Sequence, residues 1–431
     1  MFDYNTNMKN VITRLLFVGM MLFTASSLLP PLSIQNDAKF SHNFKFKGIN
    51  WFGFNNDQTM VDGLWSGGSQ MATDFNTIVY RIKLIGFNSI RLPFTHTDLN
   101  LKPTSKVISC NIESLHTIQK TTINPYWKSH ILLWKCPPFY GGTLPTKSPC
   151  NSYLVNNTTL NRFTQVIQTF VNNNFYVVLD YHPMGKEQHA DNINTFSESW
   201  LSLVRYLKQF PSFQGRLIFD LMNEPDSMRK GWKEMTPLYL KTMDQIYNIW
   251  GKSALFMIEG TGQVQYNLNW GDGFVTNPYI IKKYSLSDPN DFFRAIINKP
   301  YLKNIILSPH MYGPSVSKNN RHHKGILLWT RMNESFGYLA NPGYCINQKT
   351  CYKFPIVIGE FGSEFITKDD IDHLEDFAFY INKYLDMNWM FWAYNRNSGD
   401  TGGIVKDNWK DFEWGKLEWL RRKMALKPWY V

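Results

Sequence analysis

Short continuous apolar runs alternate along the chain with segments whose apolar residues recur at helical spacing. Continuous apolar runs are typical of parallel strands, because such strands are buried on both faces. Eight runs are predicted to be strands: Phe44–Phe54, Asn88–Phe94, Tyr176–Pro183, Arg216–Pro225, Ala254–Gly260, Asn304–Tyr312, Phe354–Gly362 and Asn388–Asn395. The segments predicted to be helices are Met71–Phe87, Leu160–Phe175, Trp200–Phe210, Leu238–Gly251 and Ile371–Met387.

Alternating strands and helices in this number predict an α/β protein, a (β/α)8 TIM barrel in a single catalytic domain over residues 34–431. The competing architecture is an open doubly wound sheet. It is disfavoured because no glycine-rich phosphate-binding turn follows the first strand. The stretch 95–159 interrupts the alternation and carries three cysteines, so it is interpreted as an inserted loop.

The first 33 residues are typical of an export signal. Lys9 and Arg14 precede the apolar run Leu15–Leu29, which small residues and prolines interrupt and follow. The run is short for a membrane span, which needs about 20 residues. The segment 1–33 is therefore predicted to be a signal peptide, or a signal anchor if it stays uncleaved. The protein is expected to be secreted, and to contact a membrane only in the uncleaved case.

Export makes disulfides and N-glycosylation plausible. Of the five cysteines, Cys345 and Cys351 are close enough in sequence to predict one bridge. A second bridge is expected among the cysteines of the insertion, with one thiol left over: Cys110, Cys136 and Cys150. Asn156, Asn157 and Asn333 each begin an N-x-Ser/Thr acceptor sequence.

The bulk composition excludes several classes of function. The formal charge of +11 is scattered, and no basic run with interleaved aromatic residues indicates nucleic-acid binding. No CxxC or HExxH spacing indicates a metal site. The aromatic content of 16% is high, and aromatic rings beyond the needs of a core often stack on flat ligands such as sugars.

Polar residues collect at the predicted strand ends, where the active sites of such barrels lie. They are Arg91, His182, Asn223, Glu224, His310, Tyr312, Glu360 and Trp392. Two glutamates on one rim predict glycoside hydrolysis, in which one carboxylic acid protonates the leaving oxygen and a second carboxylate is the nucleophile or base.

The remaining polar residues fit supporting roles. Arg91 and Tyr312 suit hydrogen bonding to a nucleophilic carboxylate, and Asn223 suits donation to the sugar 2-hydroxyl. The two histidines, His182 and His310, suit contacts with sugar hydroxyls or with the acid. Trp392 suits stacking under a sugar ring. Trp270, after the fifth strand, is interpreted either as a sugar platform or as a loop anchor.

The pattern resembles glycoside hydrolase family 5. The matching motifs occur in the order of the family: RLPF at Arg91, DYHP at His182, NEP at Glu224, HMY at His310, GEFG at Glu360 and FWAYN at Trp392. The resemblance implies that Glu224 is the acid/base and Glu360 the nucleophile of a retaining enzyme, and that the reaction needs no cofactor.

The resemblance leaves the substrate open. It implies a monomeric endo-β-1,4-glucanase of the cellulase type acting on a polysaccharide, with an endo-β-mannanase or another β-glycanase as the alternative. A secreted polysaccharide-binding barrel without activity is a further alternative, which the presence of both glutamates disfavours. The last alternative is a structural protein of the cell wall, retained there by its signal anchor and its basic charge.

Overall fold

The computed structural model describes residues 28–56, 58–64, 73–106, 108, 110, 112–127, 136–147, 149–183, 191–318 and 323–431. The strands are β1 (Lys47–Asn50), β2 (Ser89–Phe94), β3 (Tyr176–Tyr181), β4 (Leu217–Asp220), β5 (Leu255–Ile258), β6 (Ile305–Leu307), β7 (His310–Tyr312), β8 (Tyr344–Asn347), β9 (Thr350–Tyr352), β10 (Glu360–Gly362) and β11 (Trp389–Phe391).

The α-helices of the same residues are α1 (Phe75–Leu84), α2 (His96–Leu99), α3 (Leu115–Thr121), α4 (Thr159–Asn172), α5 (Ile193–Leu207), α6 (Trp232–Trp250), α7 (Pro278–Tyr284), α8 (Asn290–Ile296), α9 (Gly325–Met332), α10 (Tyr338–Ala340), α11 (Lys368–Tyr384) and α12 (Trp414–Lys423).

The parallel strands curl into a barrel. Seven of them pair in the order β11-β1-β2-β3-β4-β5-β6, and β7 pairs with β10. Parallel bridges join Leu307 to Ile356 and Ile358 to Trp389, so the segment that leads into β10 closes the gap between β6 and β11. The predicted (β/α)8 barrel is confirmed, with the strand predicted at Phe354–Gly362 forming a continuous ladder only over its last three residues.

The alternation of side chains along each strand produces two layers inside the barrel. Val178, Ile218 and Met257 belong to an apolar cluster at the N-terminal ends of the strands. Two residues further along the same strands stand Asp180, Asp220 and Glu259, which are all fully buried. The inward positions therefore change from apolar to charged towards the C-terminal ends of the strands.

Helix α6 begins earlier than the sequence predicts. The predicted start at Leu238 follows Pro237, which usually ends or begins a helix. In the structure the helix starts at Trp232, whose side chain is fully buried and whose indole N–H donates to the Gly273 carbonyl at 2.7 Å. The Glu234 carboxylate also accepts the Gly231 N–H at 3.0 Å, so the turn before the proline is stabilised by capping and burial.

The described end of the predicted signal segment contacts the barrel base, by which we mean the end formed by the N-termini of the strands. Residues 1–27 lie outside the described residues. Leu32 is 2% exposed, and its N–H donates to the Gly215 carbonyl at 2.8 Å. Tyr176 donates through its hydroxyl to the Pro30 carbonyl at 2.8 Å. Among the described residues, no helix combines the length and apolar character needed to cross a membrane.

The insertion packs against the start of α1, where Asp74 caps the helix. The Asn151 N–H and the Tyr153 hydroxyl both donate to the Asp74 carboxylate at 2.8 Å. Cys110 and Cys150 form a disulfide within the insertion, with their Cα atoms 6.2 Å apart. Arg162, a buried residue of α4, donates to the Val155 carbonyl of the insertion at 3.0 Å.

The second disulfide joins Cys345 and Cys351 across the β8–β9 hairpin, with a Cα separation of 3.9 Å. Both predicted bridges are thus confirmed. Cys136 remains a thiol, and its sulfur lies 3.6 Å from the Tyr80 hydroxyl. The three acceptor asparagines, Asn156, Asn157 and Asn333, are exposed, and their glycosylation stays a prediction.

Candidate active site

Arg91 on β2 forms the centre of the charged layer. It is fully buried, and its guanidinium meets four carboxyl groups: Asp180 at 3.0 Å, Asp220 at 2.9 Å, Glu259 at 3.1 Å and Glu360. Burial disfavours the charged form, but these carboxylates outweigh it and raise the pKa of Arg91 well above its ordinary value. Arg91 is therefore a permanent cation, and it compensates the negative charge of the carboxylates around it.

Glu360 stands at the start of β10 between two donors. One carboxylate oxygen contacts the Arg91 guanidinium, and the other accepts from the Tyr312 hydroxyl at 2.5 Å. Burial raises the pKa of Glu360, whereas Arg91, His182 and the Tyr312 hydrogen bond lower it. Burial and the neighbouring Glu360 raise the pKa of Tyr312, so the phenol keeps its proton and donates.

Glu224 lies four residues beyond the end of β4, with a left-handed backbone at φ 39° and ψ 68°. Its N–H donates to Glu259 at 2.7 Å, and Pro225 follows it. One carboxyl oxygen lies 2.8 Å from Nδ1 of His310, and the side chain is 12% exposed. Burial and the nearby Glu360 raise the pKa of Glu224 well above its ordinary value.

His310 at the start of β7 lies between carboxyl groups. Its Nδ1 faces Glu224, and its Nε2 lies 3.2 Å from Glu259. Burial, together with Arg91 and His182, lowers the pKa of His310 well below its ordinary value, so the ring is neutral. A Cβ on Gly359 would stand 2.7 Å from Nε2 of His310, which explains the glycine that precedes Glu360.

The two glutamates face each other at short range. One carboxyl oxygen of Glu224 and one of Glu360 lie within 4.8 Å of each other and of a His310 ring nitrogen. Because like charges at this distance disfavour double ionisation, the pair titrates as a unit. Among the described residues Glu360 contacts a cation and a phenol donor, whereas the contacts of Glu224 are neutral, so these surroundings favour the proton on Glu224 over Glu360.

A hydrogen-bonded chain fixes Asn223 and His182 above Arg91. The Asn223 side-chain oxygen accepts from Arg91 at 2.9 Å, and its amide nitrogen lies 3.3 Å from Nε2 of His182. The other ring nitrogen of His182 lies 2.8 Å from Asp180. The bond from Arg91 to the side-chain oxygen fixes which way the Asn223 amide points.

Aromatic rings border the charged layer. The Trp392 ring stacks on His182 at 5.7 Å and on Phe52 at 5.4 Å between ring centres. Trp270 packs edge-on against Tyr312 at 5.4 Å, and its indole N–H donates to the Ser317 hydroxyl at 2.8 Å. Trp270 is thus anchored as a loop residue and borders the site as well.

All nine side chains predicted from the sequence lie in one contact network. Sequence reasoning missed the carboxylates beneath it, Asp180, Asp220 and Glu259, and also Asn50, whose side-chain oxygen accepts from Arg91 at 3.1 Å. The one signal in the sequence was positional: Glu259 is next to last in its predicted strand, as Glu224 is in its own.

Several of these groups have oxygen and nitrogen atoms close enough to bind a cation, among them Asp180, Asp220 and Glu259. These three carboxylates already converge on the Arg91 guanidinium. The positive charge that a metal would bring is therefore supplied by the protein itself.

Comparisons with known proteins agree with this geometry. The model of the family "Cellulase (glycosyl hydrolase family 5)" matches residues 41–398. The major extracellular endoglucanase of Xanthomonas campestris pv. campestris is 23% identical over 395 residues, covering 88% of this chain and 67% of that protein. An endoglucanase of Paenibacillus polymyxa is 23% identical over 412 residues, covering 89% of this chain and 83% of that protein.

Solved structures share the fold. The hyperthermophilic endocellulase of the archaeon Pyrococcus horikoshii superposes with a TM-score of 0.63 at 21% identity, over 91% of this chain and 98% of that one. A Thermomonospora fusca β-mannanase in complex with mannotriose superposes with a TM-score of 0.50 at 14% identity, over 90% of this chain and 93% of that one. Since the family model spans all of the barrel strands and both glutamates, the chain belongs to the cellulase family, glycosyl hydrolase family 5.

Proposed function

We propose that this glycoside hydrolase is an endo-β-1,4-glucanase that cleaves internal linkages with net retention of configuration. The observation that carries the proposal is the glutamate pair: one carboxyl oxygen of each residue lies within 4.8 Å of the other, and the surroundings of the two carboxyls differ. A retaining pair has its carboxyl groups about 5–5.5 Å apart, whereas an inverting pair stands roughly 6.5–9.5 Å apart to admit a water molecule. The short separation supports double displacement.

In the first step Glu360 attacks the anomeric carbon and Glu224 protonates the glycosidic oxygen. The bond from the anomeric carbon to that oxygen breaks, and the leaving sugar departs as an alcohol. In the second step Glu224, now a carboxylate, takes a proton from water. The water oxygen attacks the anomeric carbon, and the Glu360 carboxylate is released. Each step inverts the configuration, so the product retains it.

The surrounding residues support these roles. Arg91 and Tyr312 donate to both oxygens of Glu360, which favours the ionised nucleophile. Asn223 is held by Arg91 and His182 in an orientation suited to a substrate hydroxyl beside Glu224. Trp392 and Trp270 border the cleft as sugar platforms, because their rings offer apolar faces beside hydrogen-bonding groups.

The choice of glucan as substrate rests on the relatives. Those described above are named endoglucanases and an endocellulase, while a β-mannanase shares the fold at lower identity. We expect the purified protein to lower the viscosity of carboxymethylcellulose quickly, with little reducing sugar released at first, and to cut mannan poorly. Cleavage of mannan with cellulosic substrates untouched would overturn the glucanase assignment and leave the retaining mechanism standing.

The roles of the glutamates are tested with two variants. Glu360→Ala cannot form the glycosyl-enzyme, so activity should fall on the order of 10⁵-fold on every substrate. Glu224→Ala should keep its first step with 2,4-dinitrophenyl β-cellobioside, whose leaving group needs no proton. Azide should accelerate that variant and give a β-glycosyl azide. An α-configured product from the unaltered enzyme, detected by NMR before mutarotation, would exclude retention.

We further propose export as a monomer, with the signal inside residues 1–33 and residues 29–33 kept with the catalytic unit 34–431, because Leu32 is buried against the barrel base. The support is the charged and apolar start of the chain and the relative named as extracellular. Endoglycosidase treatment of protein from its native host should increase gel mobility, and size-exclusion chromatography should give a mass near 50 kDa (the chain mass is 50.5 kDa). A protein with an intact N-terminus that remains in the cytosol would contradict export.

A further inference from the structure

Glu259, directly after β5, is a carboxylate that the two-glutamate mechanism does not use. It is fully buried, so it cannot touch a polysaccharide from the solvent side. One of its oxygens lies 3.1 Å from the Arg91 guanidinium and 3.2 Å from Nε2 of His310. The other accepts the backbone N–H of Glu224 at 2.7 Å.

Both contacts beyond Arg91 lead to Glu224. The direct one holds the backbone of Glu224, a non-glycine residue in the sparsely populated left-handed region at φ 39°. The indirect one is a close approach without a hydrogen bond: Nε2 of His310 lies 3.2 Å from Glu259, and Nδ1 of the same ring lies 2.8 Å from the Glu224 carboxyl. A strained backbone persists only where neighbouring groups determine it.

The surroundings of Glu259 hold its carboxylate in place. The Tyr239 hydroxyl donates to the Glu259 carbonyl at 3.1 Å. Gly271 has a φ of 68°, and a Cβ there would stand 2.5 Å from a Glu259 carboxyl oxygen. The loop after β5 therefore passes close to this side chain, which leaves the carboxylate little freedom to turn away from Glu224.

We infer that Glu259 is a positioning residue for the reaction: by accepting the Glu224 N–H and lying against the His310 ring, it aims the Glu224 carboxyl at the glycosidic oxygen. This inference rests on the proposed acid/base role of Glu224. It differs from a general structural role because it acts on one step of one substrate class, the step in which a poor leaving group must be protonated.

The test is Glu259→Gln. Both carboxylate oxygens accept from N–H groups, so the glutamine amide nitrogen must face either Arg91 or the Glu224 N–H, and one contact is lost. We expect kcat on cellotetraose to fall about 10- to 100-fold with little change in KM, because the aim of the acid matters in the transition state. On 2,4-dinitrophenyl β-cellobioside, kcat/KM should fall less than about 3-fold, because no proton is needed.

Asp220→Asn is the matched control. Asp220 is equally buried and contacts the same arginine at 2.9 Å. Its side-chain hydrogen bond in the described residues runs to Arg91, by way of Nε, rather than to Glu224 or His310. Its loss acts through Arg91 on the nucleophile, so both substrates should slow by the same factor. Equal slowing of both substrates in Glu259→Gln, or selective slowing in Asp220→Asn, would overturn the inference.

Two further measurements keep the outcome decisive. If Glu259→Gln does not fold, as judged by circular dichroism, Glu259→Asp serves instead, because it keeps the charge and withdraws the carboxylate from Glu224; the same selective loss is expected. Glu224→Ala is assayed in parallel. If Glu224→Ala itself lacks leaving-group selectivity, the proposed function fails and the inference with it. If Glu224→Ala is selective and the Glu259 variants are not, the inference alone fails.

Discussion

The inside of the barrel differs between its two ends, although the same strands build both. Near the base, Val178, Ile218 and Met257 pack with Leu32 and neighbouring apolar side chains. Two residues further along each strand, the inward positions hold carboxylates around a single arginine, Arg91. Burial of the apolar layer stabilises the folded state, because apolar side chains leave water. Burial of the charged layer destabilises it, because charges are taken out of water.

The difference separates the residues that stabilise the barrel from the residues that serve the reaction. The apolar layer is free to be optimised for packing, since nothing reacts there. The charged layer is tolerated because one cation compensates its carboxylates. Arg91 donates hydrogen bonds to five side chains: Asn50, Asp220, Asn223, Glu259 and Glu360. Substitutions in the lower layer should therefore change stability alone, and substitutions in the upper layer should change activity.

Arg91→Met is the strongest way to break this comparison. Removing the cation leaves its carboxylates buried without compensation, which typically costs about 3–5 kcal/mol of stability. It also withdraws the positive charge that lowers the pKa of Glu360, so fewer molecules carry an ionised nucleophile at neutral pH. We expect kcat/KM to fall on the order of 10³-fold, measured on cellotetraose, and urea denaturation to give the loss of stability.

Arg162→Met is the control for that experiment. Arg162 is also fully buried, but it lies beside the insertion and donates to backbone carbonyls and to Asn156 rather than to carboxylates. Its loss should reduce stability while leaving kcat/KM unchanged. A comparable fall in activity in both variants would mean that each buried arginine acts through folding. The claim that the charged layer has a specific effect on activity would then be wrong.

Leu32→Ala tests the lower layer. Leu32 is 2% exposed in the apolar cluster at the base, and removing a buried leucine side chain costs about 2–5 kcal/mol. Activity at 25 °C should be unchanged, because the cleft lies at the opposite end of the barrel. The exposed Leu327, at 61%, provides the control Leu327→Ala, which should change the unfolding midpoint little. Reduced kcat in Leu32→Ala would show that the two ends are coupled.

The effect of Asp226→Asn should be confined to stability above about pH 4, and the residue lies at the border of the charged layer. Burial raises the pKa of Asp226 to about 7, although the Gly262 N–H and Thr261 lower it. Since an unfolded aspartate has a pKa of about 3.9, the folded state binds the extra proton between these values, and stability falls as the pH rises through that window. Asparagine cannot ionise, so the variant should gain stability relative to the unaltered protein between pH 4 and pH 8.

That gain is measured by urea denaturation across the pH range, with Asp291→Asn, an exposed position, as the control. A pH-independent difference between Asp226→Asn and the unaltered protein would show that Asp226 does not titrate differently on folding. The charged layer would then be confined to the carboxylates that contact Arg91 directly.

The barrel and most of the site could be predicted because both follow from short patterns. The alternation of apolar runs and helical segments specifies strand and helix order, and the polar residues at strand ends specify the rim. Glu259 was missed because a single carboxylate after a strand carries no local sign of its partners. Those partners, Arg91 and His310, come from strands far away in sequence and become neighbours only when the barrel closes.

Element boundaries were predicted less well where tertiary contacts outweigh local preference. The start of α6 before Pro237 depends on the burial of Trp232 under Gly273, which no local pattern encodes. The β8–β9 hairpin and helices such as α7 and α12 were not predicted, because their apolar residues are few and they pack on the outside of the barrel. The cysteine pair Cys345–Cys351 was predicted, although the strands that it joins were not.

The contacts of residues 29–32 place the start of the described chain at the barrel base, opposite the candidate active site. The chain enters next to Asn174 and Gly215, just before β3 and β4 begin, while Glu224 and Glu360 stand past the opposite ends of the strands. A fusion partner, purification tag or surface tether joined upstream of residue 28 therefore leaves from the side facing away from the cleft. Immobilising the protein through this end should leave long glucan chains free access to the glutamates.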